Sequence, residues 1–271
     1  MLPRILPTKV TCVVTRIDGE SLGLREASER RSIVEGYRRL SAAQKPAARS
    51  APAYSRFVNR RAGRALAALC WALGLSPNAV TAVSAVFTFT AIGLLAFAPL
   101  NAALGIAVGA GLLLGYAFDS ADGQVARLTR TSSPAGEWLD HVVDATKASA
   151  LPLALAIGLY RAQAVDDAWL LIPILGSIAG TVLFFAMILT EQLRRRTSAV
   201  PLAPAASSGG WARAVLVLPM DYGVLCLSFL LLGLLPVFLA VYTLITAATV
   251  VFLLLAAIKW YSELRAIAVS S

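Results

Sequence analysis

Residues 118–147 read FDSADGQVARLTRTSSPAGEWLDHVVDATK and place four carboxylates within a hydrophobic part of the chain. They are Asp119, Asp122, Asp140 and Asp144. The first pair is three residues apart and the second four, so each pair shares one face of a helix. Ionisable residues inside membrane segments are costly and mark functional sites. Four converging negative charges repel unless a cation neutralises them, and oxygen-only ligands suit a hard divalent cation such as Mg²⁺. The stretch therefore predicts a metal site within a membrane.

The composition of the chain supports a membrane location. Of its 271 residues, 58% are hydrophobic and 14% charged, and the mean hydropathy is +0.73, far above that of soluble proteins. A net charge of +9 suits anionic lipid headgroups or nucleic acid, and the hydropathy favours membrane lipids and no nucleic acid. The cysteines at 12, 70 and 226 lie far apart and the chain has one histidine, His141, so neither disulfides nor a zinc site is expected.

The first 54 residues are polar and rich in arginine. Their opening, MLPRILPTKVTCVVTR, is not a secretory signal, because Pro and Lys interrupt the apolar run and no small-residue cleavage site follows. LREASERRSIVEGYRRL predicts a short charged cytosolic helix, and residues 55–75 predict an interfacial helix with arginines on one flank. We therefore expect a cytosolic extension and linker over 1–54 and a membrane domain over 55–271.

Six apolar segments follow, each close to the roughly 20 residues that span a bilayer. They run at about 78–98, 102–128, 134–160, 168–193, 212–235 and 237–260. Arginine and lysine concentrate before the first segment, in alternate connections and after the sixth, so the positive-inside rule places both termini in the cytosol. The four aspartates then lie in the cytosolic half of the bilayer. The predicted fold class is an all-α integral membrane protein with six transmembrane helices and an N-terminal cytosolic or interfacial helical extension.

Small and cationic residues accompany the aspartates. Gly123 and Ala126 leave room for a ligand beside the second span, because larger side chains there would fill the cleft. Gly136, one turn before Asp140, lets a phosphate or a helix approach closely. Arg127 supplies a planar positive fork suited to phosphate. Metal ligands, an arginine and a groove opened by glycine together favour a pyrophosphate-containing substrate.

The pattern D-x2-D-G-x2-A-R-x8-G-x3-D-x3-D over residues 119–144 resembles the signature of the CDP-alcohol phosphotransferase (CDP-alcohol phosphatidyltransferase) family at every defined position. The predicted six spans agree with that family, so the resemblance covers roughly residues 55–262. Two further elements are similar to the family: SPNAVT at the start of the first span, with Pro77, Asn78 and Thr81, and the Ser133-x2-Gly136 spacing before the third.

The resemblance implies a membrane enzyme of phospholipid biosynthesis. It would move a phosphatidyl group from CDP-diacylglycerol or a similar CDP-alcohol to the hydroxyl of a polar acceptor and release CMP. The four aspartates would hold two Mg²⁺ ions, with Mn²⁺ as a substitute, and Asp144 would also be the catalytic base. The residues implied for the CDP-lipid site are Asn78, Thr81, Gly123, Ala126, Arg127, Ser133 and Gly136. The plasma membrane of a prokaryote is the expected location.

The acceptor and several neighbouring residues are left open by the sequence. Glycerol 3-phosphate, inositol phosphate, inositol, serine and a second lipid all fit, with a phosphorylated polyol slightly favoured because Arg130, Lys147 and the arginines 194–196 are available. Arg130 and Lys147 are the acceptor contacts considered, although snorkelling of Lys147 is an equal alternative, and the arginine run is more typical of a topology anchor. For His141 we favour packing or a contact with a polar cavity over catalysis, and we expect Glu137 to be a helix-terminal charge near Arg130, not a metal ligand.

Two other functions remain as alternatives: an intramembrane divalent-cation transporter and a non-catalytic membrane scaffold. The Gly-x2-Ala-Arg insert at 123–127 argues against the first, and the intact set of carboxylates argues against the second.

The G-x3-G pairs at 111/115 and 176/180 predict close helix packing. The packing could be within one chain or between two chains of a homodimer, and packing within one chain is favoured.

Overall fold

A computed structural model describes residues 32–42, 52–196 and 221–270. In the last of these ranges the side chains are described as far as Ala266. No strand occurs in these ranges, so the all-α fold class is confirmed for them. The α-helices are α1 (Ile33–Ala42), α2 (Arg60–Ala72), α3 (Pro77–Phe97), α4 (Ala102–Thr129), α5 (Pro134–Arg161), α6 (Leu171–Arg196), α7 (Tyr222–Ser228) and α8 (Leu235–Ser270). A π-helical turn (Ser55–Asn59) precedes α2, and 3-10 turns precede α6 (Asp167–Leu170) and follow α7 (Phe229–Leu231).

Five helical segments are long and apolar enough to cross a membrane, which agrees with an integral membrane protein. They are Pro77–Phe97, Ala102–Thr129, Pro134–Arg161, Asp167–Arg196 and Leu235–Ala266, and they correspond to the first four predicted spans and the sixth. Of the fifth predicted span, residues 212–220 lie outside the described residues, and the rest holds the short apolar helix Tyr222–Leu231. The count of six therefore stays a prediction.

Side-chain caps set the beginnings of the helices that carry the acidic motif. The Asn101 Oδ1 atom accepts from the Leu104 N–H (2.8 Å) at the start of α4. Ser133 Oγ accepts from the Gly136 N–H (3.1 Å) at the start of α5, with Pro134 in its first turn. The residue that follows α4, Arg130, has the left-handed φ of 57° typical of a helix C-terminus. The connection from α4 to α5 is therefore short, and both helices pack against α3 rather than closely against each other.

Glycines let α4 and α5 approach α3 closely. A Cβ at Gly115 would overlap the Thr88 hydroxyl of α3, and a Cβ at Gly158 would overlap the Leu95 carbonyl. The Ser84 hydroxyl of α3 donates to the Gly115 carbonyl (2.8 Å), a contact that the missing side chain permits. Gly111 likewise faces Ala91 across the same interface. The first G-x3-G pair thus packs within the chain, as favoured from the sequence.

The hydrophobic core lies between these helices and the last two. Its fully buried members include Leu95 of α3, Leu112 of α4, Leu155 of α5 and Phe238 of α8. The second G-x3-G pair also packs within the chain, because Gly176 of α6 faces the α8 side chains and Gly180 faces the Ala148 carbonyl of α5.

The N-terminal helix α1 packs on α2 through aromatic and arginine side chains. Arg39 lies over the Trp71 ring at 5.8 Å, and Arg64 lies over the Tyr37 ring at 5.5 Å. Arg64 Nη1 also donates to Ser41 Oγ (3.1 Å). Helices α1 and α2 thus overlap the two helices predicted for this region, and residues 1–31 and 43–51 lie outside the described ranges. The predicted domain boundary at residue 54 stays a prediction.

A buried carboxylate ties the segment before α2 to the start of α7. Asp221 is 1% exposed, and its Oδ2 accepts from the N–H groups of Tyr54 (2.7 Å) and Ser55 (3.2 Å). Its Oδ1 accepts from the Gly223 N–H (3.1 Å). The Tyr54 ring occupies the space that a side chain at Gly223 would need. This contact joins two parts of the chain that are 167 residues apart.

We expect Asp221→Ala to lower the free energy of unfolding by roughly 3 kcal/mol, because it leaves buried N–H donors without an acceptor. The measurement is unfolding of the purified protein in mixed micelles, followed by circular dichroism. Asp166→Ala is the matched control, since Asp166 is exposed and makes no side-chain cap, and it should change stability by less than about 0.5 kcal/mol. Equal stability of the two variants would contradict a stabilising role for Asp221.

Candidate active site

Three of the four aspartates converge between α4 and α5. Asp119, Asp140 and Asp144 each offer a carboxylate oxygen, and these oxygens lie within 4.8 Å of one another. Asp119 comes from α4, and the other two lie one turn apart on α5. All three are partly buried. The i,i+4 pair on α5 therefore shares one helix face, as predicted, and that face meets α4 at Asp119.

The fourth aspartate, Asp122, is buried beside this group and hydrogen-bonded to its surroundings. Its Oδ2 accepts from the Thr81 hydroxyl of α3 (2.7 Å). Its Oδ1 accepts from the Gly123 N–H. Asp122 does not belong to the group of three aspartates whose carboxylate oxygens all lie within 4.8 Å of one another. Thr81, which the sequence assigned to the CDP-lipid site, thus holds one of the predicted metal ligands in place.

A lysine amine lies inside the acidic cluster, which the sequence did not reveal. Lys147 Nζ donates to Asp119 Oδ1 (2.5 Å), to Asp144 Oδ1 (3.0 Å) and to Ser84 Oγ (3.3 Å). The Lys147 side chain is only 7% exposed. Its position three residues after Asp144 was the one available signal, because that spacing puts both on one helix face. A snorkelling lysine would extend its amine into water, whereas the Lys147 amine is buried among the aspartates.

The residues present fit a divalent metal ion. Oxygens bound to one ion lie within about 4–5 Å of each other, twice the usual metal–oxygen distance, and the three converging carboxylates satisfy this spacing. They offer only hard oxygen donors, which suit Mg²⁺ or Mn²⁺. Four carboxylates against the single Lys147 ammonium leave an excess of negative charge that a divalent cation would neutralise.

Four of the residues predicted to contact CDP-lipid form two adjoining pairs. Asn78 and Arg127 are exposed. The Asn78 side-chain oxygen is 3.2 Å from the position that a Cβ of Gly136 would take, so α3 closely approaches the start of α5 here. A Cβ at Gly123 would meet only Arg127 Nη1, at 3.6 Å. The position beside Gly123 is therefore open apart from Arg127, whereas Gly136 permits the close approach of a helix.

The remaining predicted site residues have structural contacts of their own. Ser133 caps α5, and the Ala126 carbonyl accepts from the backbone N–H groups of Arg130 and Thr131 at the end of α4. Arg130 is exposed at this helix end. These contacts explain the S-x2-G spacing and the short turn, and they leave the predicted substrate contacts of these residues as predictions.

A cavity of about 400 Å³ lies beside the first turns of α5 and the last turns of α6. Its charged lining is largely paired: Arg195 Nη1 lies 3.4 Å from Glu137 Oε1, and Arg194 pairs with Glu263 of α8. Glu137 lies in the first turn of α5, as expected for a helix-terminal charge, and its ion pair is with Arg195 of α6. Its proximity to Arg130 stays a prediction. The His141 ring packs edge-on against Phe184 at 6.2 Å, in line with the packing role favoured for it.

The described residues thus form an all-helical protein with five candidate membrane spans, in which carboxylates that could hold a divalent cation converge from α4 and α5. Residues 74–266 match the family model of CDP-alcohol phosphatidyltransferase, and the chain belongs to this family. The match confirms the resemblance and includes every residue of the acidic cluster. No curated protein matches the chain. Membership implies phosphatidyl transfer from a CDP-alcohol to an alcohol in phospholipid synthesis, with divalent metal use.

Proposed function

We propose that this protein transfers the phosphatidyl group of CDP-diacylglycerol to the hydroxyl of a polar acceptor and releases CMP. The observation that carries the proposal is the convergence of Asp119, Asp140 and Asp144 within the region that matches the family. Phosphoryl transfer depends mainly on positioning and charge neutralisation. A cluster of this kind beside an exposed arginine, Arg127, supports both tasks.

The metal cofactor in this proposal is Mg²⁺, two ions per site, with Mn²⁺ as a substitute. Asp119, Asp140 and Asp144 would share an ion, and Asp122, one turn further along α4, would complete the set. When bound, such ions neutralise the pyrophosphate and stabilise the attacking and leaving oxygens. The hydrogen bond from Thr81 to Asp122 supports this set because it fixes one carboxylate from a third helix.

Asp144 is the proposed general base. Its side chain is 28% exposed, so a hydroxyl can reach it, while its Oδ1 is held by Lys147. The acceptor oxygen would bond to the phosphorus attached to diacylglycerol, and the bond from that phosphorus to the CMP oxygen would break. The hydroxyl proton passes to the Asp144 carboxylate, and CMP leaves with the electron pair of the broken bond.

The proposed CDP-lipid contacts are those implied by the family motif. Exposure of Asn78 and Arg127 and the open space beside Gly123 support direct contact by these residues. Thr81, Ala126, Ser133 and Gly136 would shape the same region through the helix ends that they stabilise. Arg130 is the proposed contact for an acceptor phosphate, with a phosphorylated polyol as the proposed acceptor. Lys147, the other residue predicted from the sequence as an acceptor contact, donates its hydrogen bonds within the acidic cluster.

The proposed location is the plasma membrane of a prokaryote, which the chain crosses six times. In this proposal both termini and the acidic cluster face the cytosol. The arrangement is compatible with a homodimer. We expect single cysteines introduced within residues 1–50 or near the C-terminus to react with an impermeant maleimide only after cells are permeabilised. A cysteine at residue 164, in the connection between α5 and α6, is the matched control and should react in intact cells. Reaction of either terminus in intact cells would contradict this orientation.

The test of the function is CMP release by the purified full chain with CDP-diacylglycerol and Mg²⁺. The acceptor panel contains glycerol 3-phosphate, inositol phosphate, inositol, serine and a second lipid, with a no-acceptor control. We expect acceptor-dependent CMP release with one class of acceptor and a matching phosphodiester product. A cation transporter or a scaffold would release no CMP, and absence of release with every acceptor class, including lipids, would overturn the proposal.

A further inference from the structure

The three N–H donors of the Lys147 ammonium match three oxygen acceptors from three helices. Asp119 lies on α4, Asp144 on α5 and Ser84 on α3. An ammonium group has three donors and no acceptor, so these contacts use its full capacity. A substrate phosphate could bind this amine only by replacing one of the carboxylates or the hydroxyl. The contacts therefore favour a role within the cluster over a role in binding the acceptor.

The position of the amine is fixed by the packing of α3 against α4. The Ser84 hydroxyl donates its proton to the Gly115 carbonyl (2.8 Å), so its oxygen is left as an acceptor for Lys147. Gly115 makes this possible because it brings the two helices into close contact. A buried ammonium without partners would be strongly unfavourable, whereas this one has two carboxylates and a hydroxyl.

We propose that Lys147 is a built-in countercharge that holds Asp119 and Asp144 together and sets the affinity of the acidic cluster for divalent cations. This inference rests on the proposed function and deepens it by assigning a positioning residue outside the signature motif. The amine bridges one carboxylate from each of the two helices that form the metal site. It thus offsets their repulsion at the place where their oxygens must meet.

The countercharge has two opposite effects on a metal ion. It keeps the carboxylates close together, and its positive charge repels a cation bound to the same groups. For unit charges a few ångströms apart in a partly buried site, the electrostatic contribution exceeds the small cost of reorienting a side chain. Removal of the charge should therefore tighten metal binding, while leaving the metal-free cluster poorly neutralised.

The experiment titrates the full chain in lipid nanodiscs with Mn²⁺ alone, reading free Mn²⁺ by electron paramagnetic resonance. We expect Lys147→Met to bind Mn²⁺ at least about tenfold more tightly than the unaltered protein. Its thermal midpoint should fall in EDTA and recover when Mg²⁺ is added. Lys259→Met is the matched control, because Lys259 is largely exposed on α8 and pairs with Glu263 outside the cluster, and it should leave both readouts unchanged.

A double variant separates charge from packing. Asp119→Asn combined with Lys147→Met removes both members of an ion pair, so its stability in EDTA should exceed that of Lys147→Met alone. If Lys147→Met does not fold without metal, recovery by the double variant supports the proposal, and failure of the double variant overturns it.

Unchanged Mn²⁺ affinity in Lys147→Met would overturn the proposal, as would a raised KM for the acceptor with no change in metal binding. The second result would assign Lys147 to the acceptor site. The Mn²⁺ titration and the thermal midpoint use metal alone and do not depend on turnover, so they test the proposal even without the KM measurement. Failure of the proposed function would instead appear as a lack of CMP release by the unaltered protein.

Discussion

Replacing Asp144 by asparagine is expected to lower the turnover of CMP release by a factor on the order of 10² or more, as for loss of a general base. The amide oxygen can still accept the hydrogen bond from Lys147, so the shape of the cluster is retained. The group that would take the acceptor proton is lost. Binding of CDP-diacylglycerol should fall much less, because Asp119, Asp122 and Asp140 remain to hold a metal ion. The measurement is CMP release together with CDP-lipid affinity.

The comparison variant is Asp122→Asn, which should weaken metal and CDP-lipid binding together. Asp122 contacts Thr81 and the Gly123 N–H, and an amide keeps an oxygen for the N–H and a donor for the threonine oxygen. The fold should therefore survive while a charge is lost. Asp167→Asn, in the exposed 3-10 turn before α6, serves as a control with the same chemical change. Near-normal turnover in Asp144→Asn would reduce Asp144 to a metal ligand, and His141 would become the next base to test.

The apolar segments were predictable because the bilayer dictates their length. The third predicted span, 134–160, corresponds to Pro134–Arg161, since a Ser-Pro pair marks its start and the apolar run sets its extent. The structure of the fifth predicted span, 212–235, could not be predicted in the same way. Its described part is a seven-residue helix followed by a 3-10 turn, and hydropathy alone does not reveal such a break.

The convergence of carboxylates was predictable to the extent that helix periodicity determines it. Spacing placed Asp140 and Asp144 on one face of α5, and the short connection after α4 kept Asp119 on the same side of the protein. Contacts between helices were not predictable in this way, because they depend on how each helix is rotated about its axis. The Lys147–Asp119 pair joins residues 28 apart, and the bond from Thr81 to Asp122 spans 41.

Long sequence separation also explains why the ion pair between Glu137 and Arg195 was not predictable. The two residues are 58 apart in sequence, on α5 and α6. Arg130 is the nearer cation in the sequence, but the packing of α5 against α6 brings Arg195 within reach. The contacts of Asp221 were not predictable for the same reason, since nothing in its local sequence indicates the backbone donors of Tyr54 and Ser55.

Removal of divalent metal is expected to abolish CMP release, and added Mg²⁺ or Mn²⁺ should restore it. The physical reason is the convergence of Asp119, Asp140 and Asp144, whose oxygens have no soft ligand among them. Their negative charge would otherwise oppose the approach of a pyrophosphate substrate. The measurement is turnover of the purified protein after exhaustive EDTA treatment and dialysis, with each metal then added back alone.

Zn²⁺ provides the discriminating arm of this experiment, because it is usually held by histidine and cysteine in a tetrahedral arrangement. Neither Cys70 nor Cys226 belongs to the carboxylate group, and His141 packs against Phe184 instead. We therefore expect Zn²⁺ to restore little turnover at concentrations at which Mg²⁺ restores it fully. Undiminished turnover after EDTA would defeat the metal assignment. Restoration by Zn²⁺ as complete as that by Mg²⁺ would contradict a site that requires the octahedral coordination of the harder ion, because Zn²⁺ prefers four ligands in a tetrahedral arrangement.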